Sequence, residues 1–429
     1  MRRNSFCLIV VLIVLIGGCH KGEDITKMNY KTVEVKAQNT VLHDTSVTEK
    51  SIYRNQYGGI TEDRNEFYIL DYLSQQENKK ILLKVMDIQS NEVKRTISLN
   101  LGNPAAPNEF KPPIGRVSYF NEKYYIFNYK VSIFSEKFDY QDCCVIRDID
   151  VNFLDYLQME QKPCLLIGSK YYEDKGIITS AIINRIAVYE LNAGRPVRRV
   201  KVVLDQFNDR TRIKIMSKKR DKRIVYVPYF APQGYGFMMD NSICYGVSTR
   251  QGFFVYNTTT KEKRFIKLSW LQPKTFTDEQ ALAIGTYKTK NFNNIKSLKA
   301  IYKYEAVKET KLYFLWLLKG SGNTVNLITD IDTKENRFTV NVVKFPSGEL
   351  LSRFTLPYGQ HFTRLLFLSR PSIPQFYIDH EKGIYIYGDR DEEHNELVRY
   401  CHFEIKERLV VSGSKRKKIS CKWKLKDKR

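Results

Sequence analysis

Little in this chain of 429 residues advertises chemistry. Its six histidines, His20, His43, His361, His380, His394 and His402, form neither an HExxH nor an HxH pattern. No CxxC pair or Cys/His cluster has zinc spacing, so no metal site is expected. Loops of the GxxxxGK[ST] and GxGxxG kinds are missing, and with them the backbone cradle that nucleotide phosphates need. No GxSxG turn is present to raise a serine nucleophile. Nor does any apolar run reach the roughly 20 residues of a membrane-spanning helix. These gaps argue against nucleotide chemistry, serine hydrolysis and structural zinc. No catalytic residue and no cofactor is assigned.

What is there begins at the N-terminus. Arg2-Arg3 precede an apolar run from Phe6 to Ile16, which ends at Gly17-Gly18-Cys19. A charged start, a short apolar stretch and small residues at the break make a secretory signal. The cysteine directly after Gly17-Gly18 resembles the lipobox of bacterial lipoproteins, where cleavage leaves that cysteine first and its thiol carries a diacylglyceryl group. The expectation is a lipoprotein signal peptide over 1–18, lipidation at Cys19 and a polar tether over 19–30. The chain is then exported and held on a membrane by its N-terminal lipid, at the outer membrane on its periplasmic or surface face. An ordinary signal in which Cys19 is incidental is the alternative.

A formal charge of +23 points to anionic partners. In an exported protein these are lipid headgroups or acidic polysaccharide, and no nucleic acid. The excess is partly local. Residues 411–429 form a basic tail, in which 415–429 (KRKKISCKWKLKDKR) hold nine Lys/Arg and one Asp. A second cluster runs over 210–223 (RTRIKIMSKKRDKR). A solvated tail and a polyanion-binding one are both compatible with this composition.

Tyrosine and phenylalanine dominate the aromatics, 28 and 24 against 3 Trp, and both favour pleated surfaces. One phrase recurs between 31 and 410: an aromatic-aliphatic run, a partner run, then an alternation of basic and apolar residues. First runs fall at 66–71, 123–128, 163–168, 242–247, 311–316 and 382–388. Partners follow at 81–88, 130–134, 185–191, 252–257 and 397–405. Charged alternations follow at 92–99, 197–204 and 262–268, as half-exposed outer strands do. Strand groups repeated every 40–80 residues predict an all-β, six-bladed β-propeller. The segment 31–44 is left over to complete the last blade and close the ring. Residues 224–230 (IVYVPYF) leave a seventh blade open, and two packed β domains are the other architecture. A capping box at Thr277-Asp278-Glu279-Gln280 predicts a short helix. Cys164 and Cys244 lie in apolar runs and read as buried free thiols. Cys143 and Cys144 point to opposite faces of a strand, which disfavours a bond between them.

With lipobox, tether and strand repeat together, most of the chain resembles the six-bladed propeller lipoproteins of Bacteroidetes, including the domain-of-unknown-function group numbered 4221. Residues 93–101 (VKRTISLNL) running into Gly102-Asn103-Pro104 are similar to that family's outer strand and Gly-Pro turn, here split by Asn103. The family carries no settled activity, so the resemblance implies a fold and not a reaction.

Candidate binding residues are few. Residues 225–239 (VYVPYFAPQGYGFMM) mix two prolines and two glycines into an aromatic run, which predicts an irregular loop exposing Tyr226, Tyr229, Phe230 and Tyr235. His380 and His394 flank Asp379, Asp389 and Asp391, where acid–base or metal chemistry is weighed against a polar turn. Asp389 and His394 are retained as binding candidates. Asp71, Asp240, Asp379 and Asp389 are the carboxylates a glycosidase on this scaffold would draw on. The expected function is a non-catalytic binding or assembly module for a protein or glycan. A carbohydrate-active hydrolase or lyase at the channel mouth is the alternative.

Overall fold

The computed structural model describes residues 31–35, 38–41, 55–74, 79–100, 116–128, 130–145, 150–160, 162–173, 181–191, 200–209, 213–216, 223–226, 233–276, 310–332, 335, 337–357, 376–390 and 396–408. Two strands, β1 (Lys31–Val35) and β2 (Gln38–Val41), come first. Blade one is β3 (Asn55–Thr61), β4 (Glu66–Ser74), β5 (Lys79–Asp87) and β6 (Val93–Asn100). Blade two is β7 (Arg116–Phe120), β8 (Lys123–Asn128), β9 (Lys130–Ser135) and β10 (Tyr140–Val145). Blade three is β11 (Asp150–Met159), β12 (Lys162–Glu173), β13 (Ala181–Glu190) and β14 (Val200–Asp209). A separate hairpin of β15 (Ile213–Met216) and β16 (Arg223–Tyr226) precedes blade four. That blade is β17 (Gly234–Met239), β18 (Ser242–Val247), β19 (Gly252–Asn257) and β20 (Lys263–Lys267). A short pair, β21 (Lys274–Phe276) with β22 (Thr310–Leu312), leads to blade five: β23 (Trp316–Lys319), β24 (Thr324–Asp332), β25 (Arg337–Lys344) and β26 (Leu350–Pro357). Blade six is β27 (Phe376–Asp379), β28 (Ile384–Arg390) and β29 (Glu396–His402), and β30 (Ile405–Arg408) follows it.

Six antiparallel sheets in a ring make a six-bladed β-propeller. β2 pairs with β29, so an N-terminal strand completes the last blade, as the leftover segment predicts. Its first half departs from that expectation. β1 lies parallel on β26 at the rim of blade five and pairs on its other side with β30. The seventh blade is not formed: β16 pairs with β15 alone. The helix expected near 277–283 lies outside the described residues, as do 1–30 and 409–429. Among the described residues no helix is long and apolar enough to cross a membrane.

Each blade buries both faces, which explains the continuous apolar runs. In β4 the alternation sends Tyr68 and Leu70 toward blade two and Phe67 and Ile69 toward blade six. Equivalent clusters fill the gaps between blades two and three and between blades three and four, and one large cluster serves blades four to six. Cys164 and Cys244 are free thiols inside these layers, and Cys144 and Cys401 are buried there as well. Burial, then Asp142 and Cys143, pushes the Cys144 thiol up to about 12, so it stays protonated and inert.

Tyrosine hydroxyls cross the gaps between blades. Tyr245 Oη of blade four donates to Leu204 O of blade three at 3.0 Å, and Tyr385 Oη of blade six donates to Pro357 O of blade five at 3.0 Å. Tyr124 Oη of blade two donates to Glu66 Oε2 of blade one at 3.0 Å. Tyr400 Oη closes the ring, donating to Ile88 O beyond the third strand of blade one at 2.6 Å, with its ring stacked on Phe67 at 6.2 Å. Phenol and ring together give these four gaps apolar area and a satisfied polar group.

Tyr400→Phe keeps the ring and orphans the buried Ile88 carbonyl. It is expected to lower unfolding free energy by about 1 kcal/mol in urea titrations, with native circular dichroism retained. An unchanged midpoint would contradict the closing role.

Candidate functional site at the mouth of the central channel

The first strand of every blade is the edge strand of its sheet, and it faces the axis. Six such edges turn their ladder-free N–H and C=O groups toward one channel, which hides what would otherwise be templates for aggregation. Side chains tie the edges together. Thr61 Oγ1 of blade one accepts Tyr119 N–H of blade two at 3.0 Å, and Asp155 Oδ2 of blade three accepts Met238 N–H of blade four at 3.0 Å. Gly59 permits the closest approach. Its φ is +127°, and a Cβ there would stand 2.6 Å from Val117 O.

A cavity of about 940 Å³ opens among these strands, with all six blades in its wall. Polar side chains line it at the end where β3, β7, β11, β17, β23 and β27 turn back. Glu62 of blade one meets Lys319 of blade five across the axis at 3.2 Å. Arg116 of blade two meets Asp155 of blade three at 3.3 Å. Burial opposes the charge on Lys319, but Glu62, Asp155 and Asp63 outweigh it and hold its pKa above the ordinary lysine value. The ammonium is therefore a fixed cation and not a base. At the rim, Glu160 accepts from Lys201 at 2.8 Å and Lys261 at 2.9 Å. Hydrogen bonds from Lys201 and Lys261, and then their charges, draw its carboxyl down to about 2. Deeper in, Ser118 is 6% exposed and its Oγ has no hydrogen-bond partner among the described residues. Asn241, Thr258 and Thr259 add neutral polar groups at the mouth.

The residues singled out from sequence fare unequally. Tyr235 lines the cavity wall but does not lie in an exposed loop. It belongs to a regular strand, is 4% exposed, and its hydroxyl donates to Leu315 O. The glycines beside it serve packing and not a turn: a Cβ on Gly236 would meet Leu166 Cδ2 at 2.8 Å, and one on Gly234 would meet Ile186 Cδ1 at 3.0 Å. The irregular loop expected over 225–239 is thereby corrected for 223–226 and 234–239, which are strands. Tyr226 sits in β16, away from the blades' own sheets. Tyr229, Phe230, His394 and Cys19 lie outside the described residues.

Asp389 lies near the far end of β28 from Asp379, and seven residues of strand separate those ends by roughly 20 Å. Asp379 and His380 are thus separated from Asp389 by the length of a strand. Asp379 is a turn cap, accepting Glu381 N–H at 3.0 Å and Lys382 N–H at 2.9 Å. His380 Nδ1 is 2.8 Å from Ser321 Oγ, and burial lowers its pKa against the pull of Glu381 and Asp379. Asp71 is buried in blade one and paired with Lys84 at 2.6 Å. Asp240 reaches the cavity, which Asp71 and Asp379 do not line. Glu62, Arg116, Asp155 and Lys319 had no sequence signal, since they are isolated charges on four separate blades.

No family model matches the chain, and no curated protein matches it. Solved structures do. A member of the duf4221 family from Bacteroides vulgatus aligns with 89% of this chain and 100% of its own, at 11% identity and a TM-score of 0.42. U3-55K aligns with 85% of this chain and 98% of its own, at 9% identity and a TM-score of 0.34. Drosophila Semaphorin 2a aligns with 87% of this chain and 76% of its own, at 8% identity and a TM-score of 0.29.

The low Glu160 pKa carries a pH signature. A carboxyl drawn from the ordinary 4.5 to about 2 stabilises the fold fully above 4.5, and that contribution is lost as pH falls toward 2. The stability gap between the native chain and Glu160→Gln is expected to be constant from neutral pH to 4.5 and to close between there and about 2. A gap in urea midpoints that persists unchanged at the acid end would refute the rim pairing.

Proposed function

We propose that the protein is an envelope binding module, held on a membrane through Cys19, that takes a polar uncharged chain such as an oligosaccharide into the channel mouth. One observation carries this: six of the eight charged residues lining the cavity lie in ion pairs, Glu62 with Lys319, Arg116 with Asp155, and Glu160 with Lys261 and also with Lys201 beyond the lining, while Asp63 and Asp240 add two further carboxylates. Glu160, drawn down to about 2 by its two lysines, accepts hydrogen bonds well and makes a poor general acid, a role that needs a raised pKa. A ligand of hydroxyl groups finds an acceptor in the Glu160 carboxylate and a buried hydroxyl in Ser118. A strongly charged ligand would have to break one of these pairs. Binding without turnover is what this arrangement favours.

The test is calorimetric titration with oligosaccharides released from bacterial envelope polysaccharide. The native chain and Arg264→Ala, changed on an exposed outer strand, are expected to bind. Asn241→Trp, which fills the mouth from a turn, is expected to lose at least tenfold in affinity while keeping the native circular dichroism. The sugar is recovered at its original length. Shortened products would replace this reading with hydrolysis or lysis, and equal binding by Asn241→Trp would remove the channel from it.

A further inference from the structure

The wall of the channel mouth has the sign opposite to the molecule around it. Five acidic and three basic side chains line the cavity, a formal excess of two negative charges, in a chain that carries +23 overall. The excess has an address. Glu62, Asp155 and Glu160 each have a cation in contact, whereas among the described residues neither Asp63 nor Asp240 is in an ion pair. Asp63 acts on Lys319 only from a distance, since that ammonium is already in contact with Glu62. Both carboxylates are exposed, Asp63 in the turn Glu62–Arg64 of blade one and Asp240 between β17 and β18 of blade four. Blades one and four stand opposite each other in a ring of six, so an occupant of the mouth meets an uncompensated carboxylate on either side.

A separate observation points to an occupant. Ser118 of blade two lines the same cavity, is 6% exposed, and its Oγ has no hydrogen-bond partner among the described residues. A buried hydroxyl without a partner is costly, and a polar molecule entering the channel removes that cost.

We infer that the channel mouth receives an ammonium group of its ligand between Asp63 and Asp240, which on an oligosaccharide is the amine of an amino sugar. The inference rests on the reading of the mouth as a binding site and adds the charge preference of that site. Hydroxyl groups are held whether or not the amine is present. One amine on an otherwise neutral chain gains the attraction of two carboxylates without disturbing the existing ion pairs. A uronate or phosphate at the same place meets those carboxylates as like charges. A cleft with walls of low dielectric focuses such a field, so the preference exceeds what two exposed carboxylates produce on a flat surface.

The experiment first reads the charge of the mouth without any sugar. Asn241→Cys, beside Asp240, and Ser347→Cys, on the exposed turn between β25 and β26, are each treated with a trimethylammonium and a sulfonate methanethiosulfonate reagent. Rates are followed by the mass of the peptide that carries the introduced thiol. The cation-to-anion rate ratio is expected to be about fivefold or more higher at position 241 than at position 347. Adding Asp63→Asn and Asp240→Asn, with native circular dichroism retained, should bring the two ratios together, as should salt of about 1 M. Equal ratios in the variants that keep both aspartates overturn the proposal. The second arm titrates oligosaccharides released from envelope polysaccharide, before and after alkaline removal of their N-acetyl groups. The amine form is expected to bind about fivefold or more tighter to the native chain and equally to Asp63→Asn/Asp240→Asn. Binding of both forms with equal affinity by the native chain also overturns it. Absence of binding by either form, with the rate ratio as expected, removes the oligosaccharide reading and leaves the ammonium site supported.

Discussion

A phenol that spans two blades is the contact on which this architecture depends. The gap between neighbouring blades must be apolar to exclude water, yet each sheet brings peptide groups to its margins that need partners. Tyrosine meets both demands with one rigid side chain. Tyr245, Tyr385 and Tyr400 each carry a ring into an inter-blade layer and set the hydroxyl on the next blade's backbone. The composition follows from this geometry. A chain with many such gaps uses tyrosine heavily, and tryptophan, bulkier and able only to donate, has little place in it.

Closure of the ring then decides what remains for function. Once the blades are joined side to side, six strand edges face inward and can pair only with what enters the channel. Charges near the ends of those strands are brought together by the closed ring. Lys319 and Glu62 belong to blades that are not neighbours, so their meeting exists only in the closed ring. The site is thus a product of tertiary closure and not of any local motif.

That origin explains what sequence could and could not reveal. Second and third strands were legible in every blade but the fifth, and fourth strands in blades one, three and four: runs such as Phe67–Leu70 are apolar throughout because both faces are buried, and Val93–Asn100 alternates because one face is wet. First strands escaped notice, being interrupted by residues like Gly59 and Asp155 that serve the channel. In blade five the apolar run 311–316 misled. Phe314 and Leu315 fill the core between two short strands, and the blade begins only at Trp316. Glycines near Tyr235 signalled a loop where they in fact let β17 press against blade three. Asp379 and Asp389 are close along the chain and divided by a whole strand in space.

Everything here requires that the N-terminal strand β2 zip onto β29 and shut the ring. Asn39 lies directly opposite Cys401 in that pairing. Introducing Asn39→Cys and measuring intact mass after mild oxidation reports the contact without reference to any ligand. The account predicts a monomer lighter by two hydrogens, with the thiol introduced on β2 and Cys401 recovered in one cross-linked peptide. Two free thiols at these positions in a folded protein would contradict it.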